Sequence, residues 1–350
     1  MLRSIGLERG RKRYSISGVS SEISQSTLRG WSTVELADER IAVTVLPDKG
    51  ADIYALVDRA SGVDVLCKTP WGLQPPGAPP REGSDGMPFL ENYEGAWQEL
   101  LPNTNDPCVV DGRELPFHGE VATMPWSWDA TQGDRGTELR LTIECRLMPL
   151  RLARVMRLLE GGTLELDETV TNLGERTERF VWGHHIVLGA PLVGAGARLT
   201  AGCRELSTIA ELWEDTARLE PSQRRPWPMA RLRSGGEVDL SQICGPGAES
   251  HDDVYLGDLT AGWAEVENRG LGLRFSLEWD ASVFPWIISW QPYGGARAMP
   301  LAGAYGLGVE PWVSRGNLAQ ALERGEARQL DPGESLHTVL RATLTAAADG

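Results

Sequence analysis

Alternation with a period of two runs through this chain, and it leaves little room for any fold not built of strands. Across residues 138–147, Leu139, Leu141, Ile143, Cys145 and Leu147 alternate with Arg140, Thr142, Glu144 and Arg146. Across residues 163–171, Leu164, Leu166 and Val170 alternate with Glu165, Asp167 and Thr169. Across residues 271–279, Leu271, Leu273, Phe275, Leu277 and Trp279 alternate with Gly272, Arg274, Ser276 and Glu278. Ile41, Val43 and Val45 do the same near the start, and residues 336–344 do it more loosely near the end. Successive side chains of a strand point to opposite faces, so each pattern predicts a strand with one face buried and the other wet or lining a cleft. The 40 glycines and 22 prolines punctuate these segments with turns. Helical patterns are scarce: residues 317–324, with Gly325 as a stop signal, and more weakly residues 209–219. The expected class is all-β, a large antiparallel sandwich with few short helices. With 350 residues and neither repeat nor linker, the chain reads as an N-terminal extension, 1–33, packed on one main domain, 34–350. Residues 75–86 form a Pro/Gly-rich loop long enough for a lid, although a plain surface excursion is the favoured reading.

The formal net charge of −15 disfavours nucleic acid or an anionic membrane as partner, because neither would meet a basic surface. The five cysteines are odd in number, widely spaced and without a C-x-x-C pair, which fits reduced thiols rather than a disulfide framework or a thiolate zinc site. Residues 1–15 are basic, but no apolar run follows them and no membrane-length apolar stretch occurs elsewhere. A cytoplasmic protein, monomer or homodimer, is the expectation.

Three of the five histidines and one carboxylate sit in segments dense in Gly, Pro and Trp. Glu310 lies in Gly308-Val309-Glu310-Pro311-Trp312, His118 in Pro116-Phe117-His118-Gly119-Glu120, and His184 and His185 follow Trp182-Gly183. A carboxylate and an imidazole facing each other across a pocket form a base and acid pair able to work near neutral pH. Pro311 restricts Glu310 to extended backbone, which fixes the direction of its side chain. His184 and His185 point to opposite faces if they lie on a strand, so only one enters a pocket. His251 heads Asp252-Asp253, with Tyr255 following, and the aspartate pair after Gly245-Pro246-Gly247 reads as ordinary turn chemistry; His337 alternates on a C-terminal strand and reads as a surface residue. His118, His184 or His185, His251 and an aspartate would make an N/O metal-donor set, but no H-x-H, H-x-x-x-H or H-E-x-x-H spacing supports one, and no metal or cofactor is expected. Nucleophile-elbow, P-loop and dinucleotide motifs are absent. Among the 13 tryptophans, Trp97, Trp182, Trp286, Trp290 and Trp312 flank the segments just named. Such rings stack on the apolar face of a sugar, and also pack in cores.

Taken in order, these segments resemble the aldose 1-epimerase (galactose mutarotase-like) superfamily, and in particular a bacterial branch with a Trp-Gln-Glu-Leu segment ahead of the His-Gly motif. The matching pieces are Leu46-Pro47-Asp48-Lys49-Gly50-Ala51-Asp52-Ile53, Trp97-Gln98-Glu99-Leu100-Leu101-Pro102-Asn103, the His118 and His184-His185 segments, Trp290-Gln291, the Glu310 segment and Leu330-Asp331-Pro332-Gly333-Glu334. The resemblance implies an all-β supersandwich with an open cleft that interconverts the α and β anomers of a free aldohexose without a cofactor. It implies Glu310 as base, His185 as acid in preference to His184, and His118 as the residue that positions the sugar. Asp252 or Asp253 would hold sugar hydroxyls, with Gln98, Trp290 and His184 as further contacts. Family members carry an arginine ahead of the His-Gly motif, where Gln98 or Asn103 stands nearest here. An ionised base beside a protonated acid requires a raised histidine pKa. No Arg/Lys cluster flanks these residues, the nearest being Arg113, Arg297 and Arg315, so a neutral hexose is expected over a hexose phosphate. The competing readings are a non-catalytic carbohydrate-binding protein on the same fold and a metal-dependent sugar isomerase.

Overall fold

Each alternating segment forms a strand. The computed structural model describes residues 12–13, 21–133 and 136–347, and among these 20 strands join one hydrogen-bonded sheet, beside three two-stranded ribbons. Glu22–Leu28 pairs with Trp31–Ala37, and the path runs on through Ile41–Leu46 and Asp52–Asp58 to Trp97–Leu100 and Gly183–Leu188. It continues through Glu310–Trp312, Trp286–Tyr293 and Ser250–Asn268. It then returns through Leu273–Glu278, Ser335–Ala346, Thr163–Asn172, Leu150–Leu159 and Gly136–Glu144 to Ser127–Gly133. All these ladders are antiparallel. Ser250–Asn268 is 19 residues long and exchanges partners along its length, with Trp286–Tyr293 on its first half and Leu273–Glu278 on its second. That exchange lets the sheet fold over on itself as a supersandwich.

The alternation places the core. Leu139, Leu141, Ile143, Leu164, Leu166, Val170, Leu273, Phe275 and Leu277 are all buried in one continuous hydrophobic cluster. The first of these strands ends at Glu144, short of the pattern. The backbone turns there, with Cys145 N–H donating to the Leu150 carbonyl at 2.8 Å, and leaves Leu147 exposed.

Two α-helices are present among the described residues, Pro88–Glu91 and Leu318–Arg324. The second starts at an Asn317 cap, whose side chain accepts from Gln320 N–H while Gln320 reaches back to the Asn317 N–H, and it stops at Gly325 with φ 68°. Residues 209–219 do not form the weaker expected helix. Their backbone donors go elsewhere: the Arg218 and Leu219 N–H groups donate to Asp252 at 2.9 and 3.0 Å. A carboxylate that takes backbone donors in this way competes with the helical ladder.

The boundary expected after residue 33 falls inside the strand Trp31–Ala37, whose partner Glu22–Leu28 lies wholly in the expected extension. From Glu22 onward the extension is therefore part of the sheet. Residues 1–11 and 14–20 lie outside the described residues. The 75–86 loop is more than a surface excursion, because Gly83 helps line the cleft described next and packs against Met299 so closely that a Cβ would meet its carbonyl oxygen at 2.3 Å. No described helix is long and apolar enough to cross a membrane.

Candidate active site

Four neighbouring strands present one face to a cleft of about 260 Å³. The ladder aligns Glu310 with Ile288, Ile288 with Tyr255, and Trp290 with Asp253. Residues 251, 253 and 255 share a face by the two-residue period, as do 288 and 290, and all five line the cleft. His185 comes from the adjacent strand Gly183–Leu188. His118 enters from a loop, with φ 58°. Phe89 and Tyr93, from the short helix and the turn after it, close the far wall. Glycine makes room for the carboxylate: a Cβ on Gly308 would lie 2.4 Å from Glu310 Oε1.

Glu310 and His185 stand at the centre. His185 Nε2 lies 4.0 Å from Glu310 Oε1, and the two residues are 7% and 1% exposed. Neither carboxylate oxygen of Glu310 has a hydrogen-bond partner among the described residues, nor has Nδ1 of His185. Buried polar atoms are rarely left so, and here they face a cavity. Burial, helped by the charge of Asp253, pushes the Glu310 carboxyl well above its usual range. Burial also pushes His185 down, to about 3. The raised histidine pKa expected from the sequence is therefore not found: desolvation outweighs the carboxylate, which is itself driven toward its neutral form. Together the pair favours one proton on Glu310 and an uncharged imidazole.

His118 is held in one tautomer. Its Nδ1 accepts the Asn105 N–H at 2.9 Å, so in the neutral ring the proton sits on Nε2. Burial, then His185, keeps it well below its ordinary pKa. Its ring meets Phe89 edge-on at 4.6 Å and His185 at 5.3 Å. Asp253 is partly exposed in the cleft, and burial raises its carboxyl to about 6.

The remaining sequence candidates divide. Trp290 lines the cleft and donates to His251 Nε2 at 2.7 Å. Asp252 faces away from it, bound to the backbone of residues 218–219 and to Arg218 Nε at 2.9 Å. Gln98 also lies outside the cleft, donating to the Gly95 carbonyl at 2.6 Å beside the buried Lys49–Asp52–Glu94 ion cluster. Asn103 ties the His118 loop together through the carbonyls of Asp106 and Pro116. Neither Gln98 nor Asn103 thus stands in for the family's arginine in the cleft.

His184 does not reach the cleft. It lies fully buried on the other side of its strand, Nε2 3.1 Å from Glu168 and Nδ1 3.3 Å from Glu99. Glu99, Glu168 and His184 are close enough to suggest a metal-binding group. Arg154 already occupies the position of a cation there, donating to both carboxylates and to the Ala51 carbonyl. Trp97 and Trp182 belong to the same buried network, as donors to His184 and Glu99, so their role is in the core.

Sequence reasoning missed Phe89, Tyr93, Phe117, Trp213 and Glu214 as cleft residues. Phe117 sits beside His118 in a segment the sequence does mark; Phe89 comes from the short helix, and Tyr93, Trp213 and Glu214 from loops without a local pattern. It also took the Asp252-Asp253 pair for turn chemistry, whereas both lie on a long strand, from which His251 and Asp253 face the cleft. Four carboxylates, Asp106, Glu214, Asp253 and Glu310, line the cleft, and among the described residues no lysine or arginine does. Arg113 is paired with Glu178, Arg315 with Glu326, and Arg297 lies near Asp215.

Comparison with known proteins agrees with this architecture. The profile of a family described as "Domain of unknown function (DUF4432)" matches residues 28–344. No curated protein sequence matches. A solved structure from Klebsiella pneumoniae, described as a candidate aldose 1-epimerase, aligns with a TM-score of 0.75 at 17% identity, over 98% of this chain and 89% of that one. A Synechocystis protein aligns at 0.66 and 16% identity, over 90% of this chain and 96% of its own. A galactose mutarotase-like protein from Clostridium acetobutylicum aligns at 0.63 and 15% identity, over 93% and 98%. At such identities the likeness shows a shared fold.

Proposed function

The chain belongs to the DUF4432 family and carries the galactose mutarotase-like fold, and from that premise we propose that it is an aldose 1-epimerase acting on a free, neutral aldohexose. The observation that carries the reading is the Glu310–His185 pair: two titratable groups 4.0 Å apart, buried, with unpartnered atoms, in an aromatic-lined cleft.

Anomer exchange needs one proton taken from the C1 hydroxyl and one given to the ring oxygen. Glu310 is the base and His185 the acid. Burial disfavours both charges, so the proton shared by the pair favours Glu310. Sugar hydroxyls that enter and donate to the carboxylate offset its desolvation, and the proton can then pass to His185. Glu310 accepts the C1 hydroxyl proton as His185 protonates the ring oxygen, and the C1–O5 bond opens to the aldehyde. Rotation about C1–C2 presents the other carbonyl face, and the same two transfers run backwards on closure. His118, through Nε2–H, and Asp253 hold hydroxyls, while Trp290 and Trp312 cover the apolar ring face. No step requires a cofactor.

Polarimetry or NMR exchange spectroscopy on freshly dissolved α-glucose, α-galactose and α-mannose tests this. Catalysed approach to the anomeric equilibrium is expected for at least one of them. Binding without acceleration would favour a carbohydrate-binding protein instead.

A further inference from the structure

We infer that His251 and Glu214 form a second polar subsite in the cleft, which reads a hydroxyl at the end of the sugar away from C1. The choice of ligand class rests on the sugar-binding reading above.

Trp290 lies between the two polar centres along the ladder. Its ring is 5.8 Å from that of His185 and 5.9 Å from that of His251. In the ladder Glu310 aligns with Ile288, and His251 aligns with Pro292, four residues further along the strand. A ring lying over Trp290 with C1 at Glu310 would therefore extend its other end toward His251.

The chemistry of that end is specific. Trp290 Nε1–H donates to His251 Nε2 at 2.7 Å. That nitrogen must be unprotonated, so the neutral ring carries its proton on Nδ1. His251 is 5% exposed, and its Nδ1 has no hydrogen-bond partner among the described residues. Glu214 Oε2 lies 3.9 Å from that Nδ1, too far for a direct bond. A hydroxyl oxygen about 2.8 Å from each atom closes the gap, accepting from His251 and donating to Glu214. A protonated amine cannot accept from Nδ1–H. An anionic group has no proton for Glu214 and would face Asp253 as well. The carboxylate is also fixed in place: it accepts the Arg297 N–H at 2.8 Å and the Ala298 N–H at 3.1 Å. Those residues lead into 299–301, which line the cleft. Glu214 therefore ties the occupant of the subsite to a loop of the cleft wall.

Methyl glycosides of glucose, galactose and mannose, with their 2-, 3-, 4- and 6-deoxy analogues, provide the test. They bind without anomer exchange, so the subsite is measured separately from catalysis. Titration by calorimetry or ligand-observed NMR would use wild type, Glu214→Gln, Glu214→Ala and His251→Phe, with circular dichroism to confirm folding. For the best-bound glycoside, one deoxy analogue is expected to bind wild type at least tenfold more weakly than its parent. That ratio is expected to fall below about threefold in the Glu214 variants, and in His251→Phe where it folds. A ratio unchanged in the folded variants, or no discriminated hydroxyl in wild type, overturns the subsite, a bridging water being then its occupant. If the pattern appears in a protein that exchanges no anomers, the subsite stands and the catalytic reading falls. If no glycoside binds wild type, both fall.

Discussion

His184 and His185, neighbours in the chain, face opposite sides of one strand and live in different chemistries. His184 is locked between Glu99 and Glu168 beneath the sheet; His185 stands 4.0 Å from Glu310 in the cleft. The split follows from strand geometry, since consecutive side chains alternate across the pleat. It also couples the two environments, because Trp312, two residues after Glu310, donates its indole N–H to the His184 carbonyl at 3.2 Å.

Substituting the two histidines should therefore give opposite phenotypes. His184→Ala leaves Glu168 without one of its partners in a dry interior, and is expected to cost about 3 kcal/mol of stability. His185→Leu should keep the fold and lose anomer exchange. Denaturant titration and polarimetry on both variants check this; an inactive, stable His184→Ala with an active His185→Leu would reverse the assignment.

Glu310→Gln should lower exchange by about 10²-fold or more, as loss of an essential base does. Its effect on stability has a sign. Burial holds the Glu310 pKa well above the ordinary 4.5, so the folded state prefers the protonated acid. That preference costs nothing below pH 4.5, where the unfolded chain is protonated too, and destabilises the fold progressively as pH rises toward the folded pKa. Thermal melts at pH 5 and pH 8 should show a gap in favour of the glutamine variant that widens with pH.

His185 acts on the acid side. Its pKa falls from 6.5 to about 3 on folding, so the unfolded chain takes up a proton that the folded state refuses. Stability is unaffected by this group above pH 6.5 and is lost as pH falls toward 3, at up to about 1.4 kcal/mol per pH unit. Between pH 6.5 and 5, wild type should lose about 2 kcal/mol more than His185→Leu. Parallel stability curves for the two proteins would contradict this assignment.

A phosphate on the sugar should weaken catalysis. Among the described residues four carboxylates and no lysine or arginine line the cleft, and Arg113 and Arg315 are engaged with Glu178 and Glu326. We expect kcat/KM for the preferred hexose to exceed that for its 6-phosphate at least tenfold, or about 1.4 kcal/mol in transition-state binding. The reverse ratio would require a basic group that this cleft lacks among the described residues.

Exhaustive dialysis against EDTA should leave exchange unchanged. The Glu99–Glu168–His184 group already holds the Arg154 guanidinium, and the proposed chemistry moves protons between side chains and sugar. Loss of activity with recovery on metal addition would favour the sugar-isomerase alternative.

Period-two alternation and turn residues determined by themselves that this chain is a large antiparallel β-protein, because a strand's exposure pattern is written in adjacent residues. The Asn317–Gln320 cap and Gly325 stop of the helix were legible for the same reason. So was the extended backbone of Glu310 before Pro311. Tertiary structure alone decided what lines the cleft. Asp252 and Asp253 are the same residue type one position apart, and only the ladder to Trp290 and Gln291 shows which faces the cleft. Phe89 arrives on a one-turn helix, and Tyr93, Trp213 and Glu214 on loops, whose direction no local period encodes. The protonation of the Glu310–His185 pair was likewise beyond the sequence: it depends on how completely water is excluded, and that is a property of packed neighbours from distant parts of the chain.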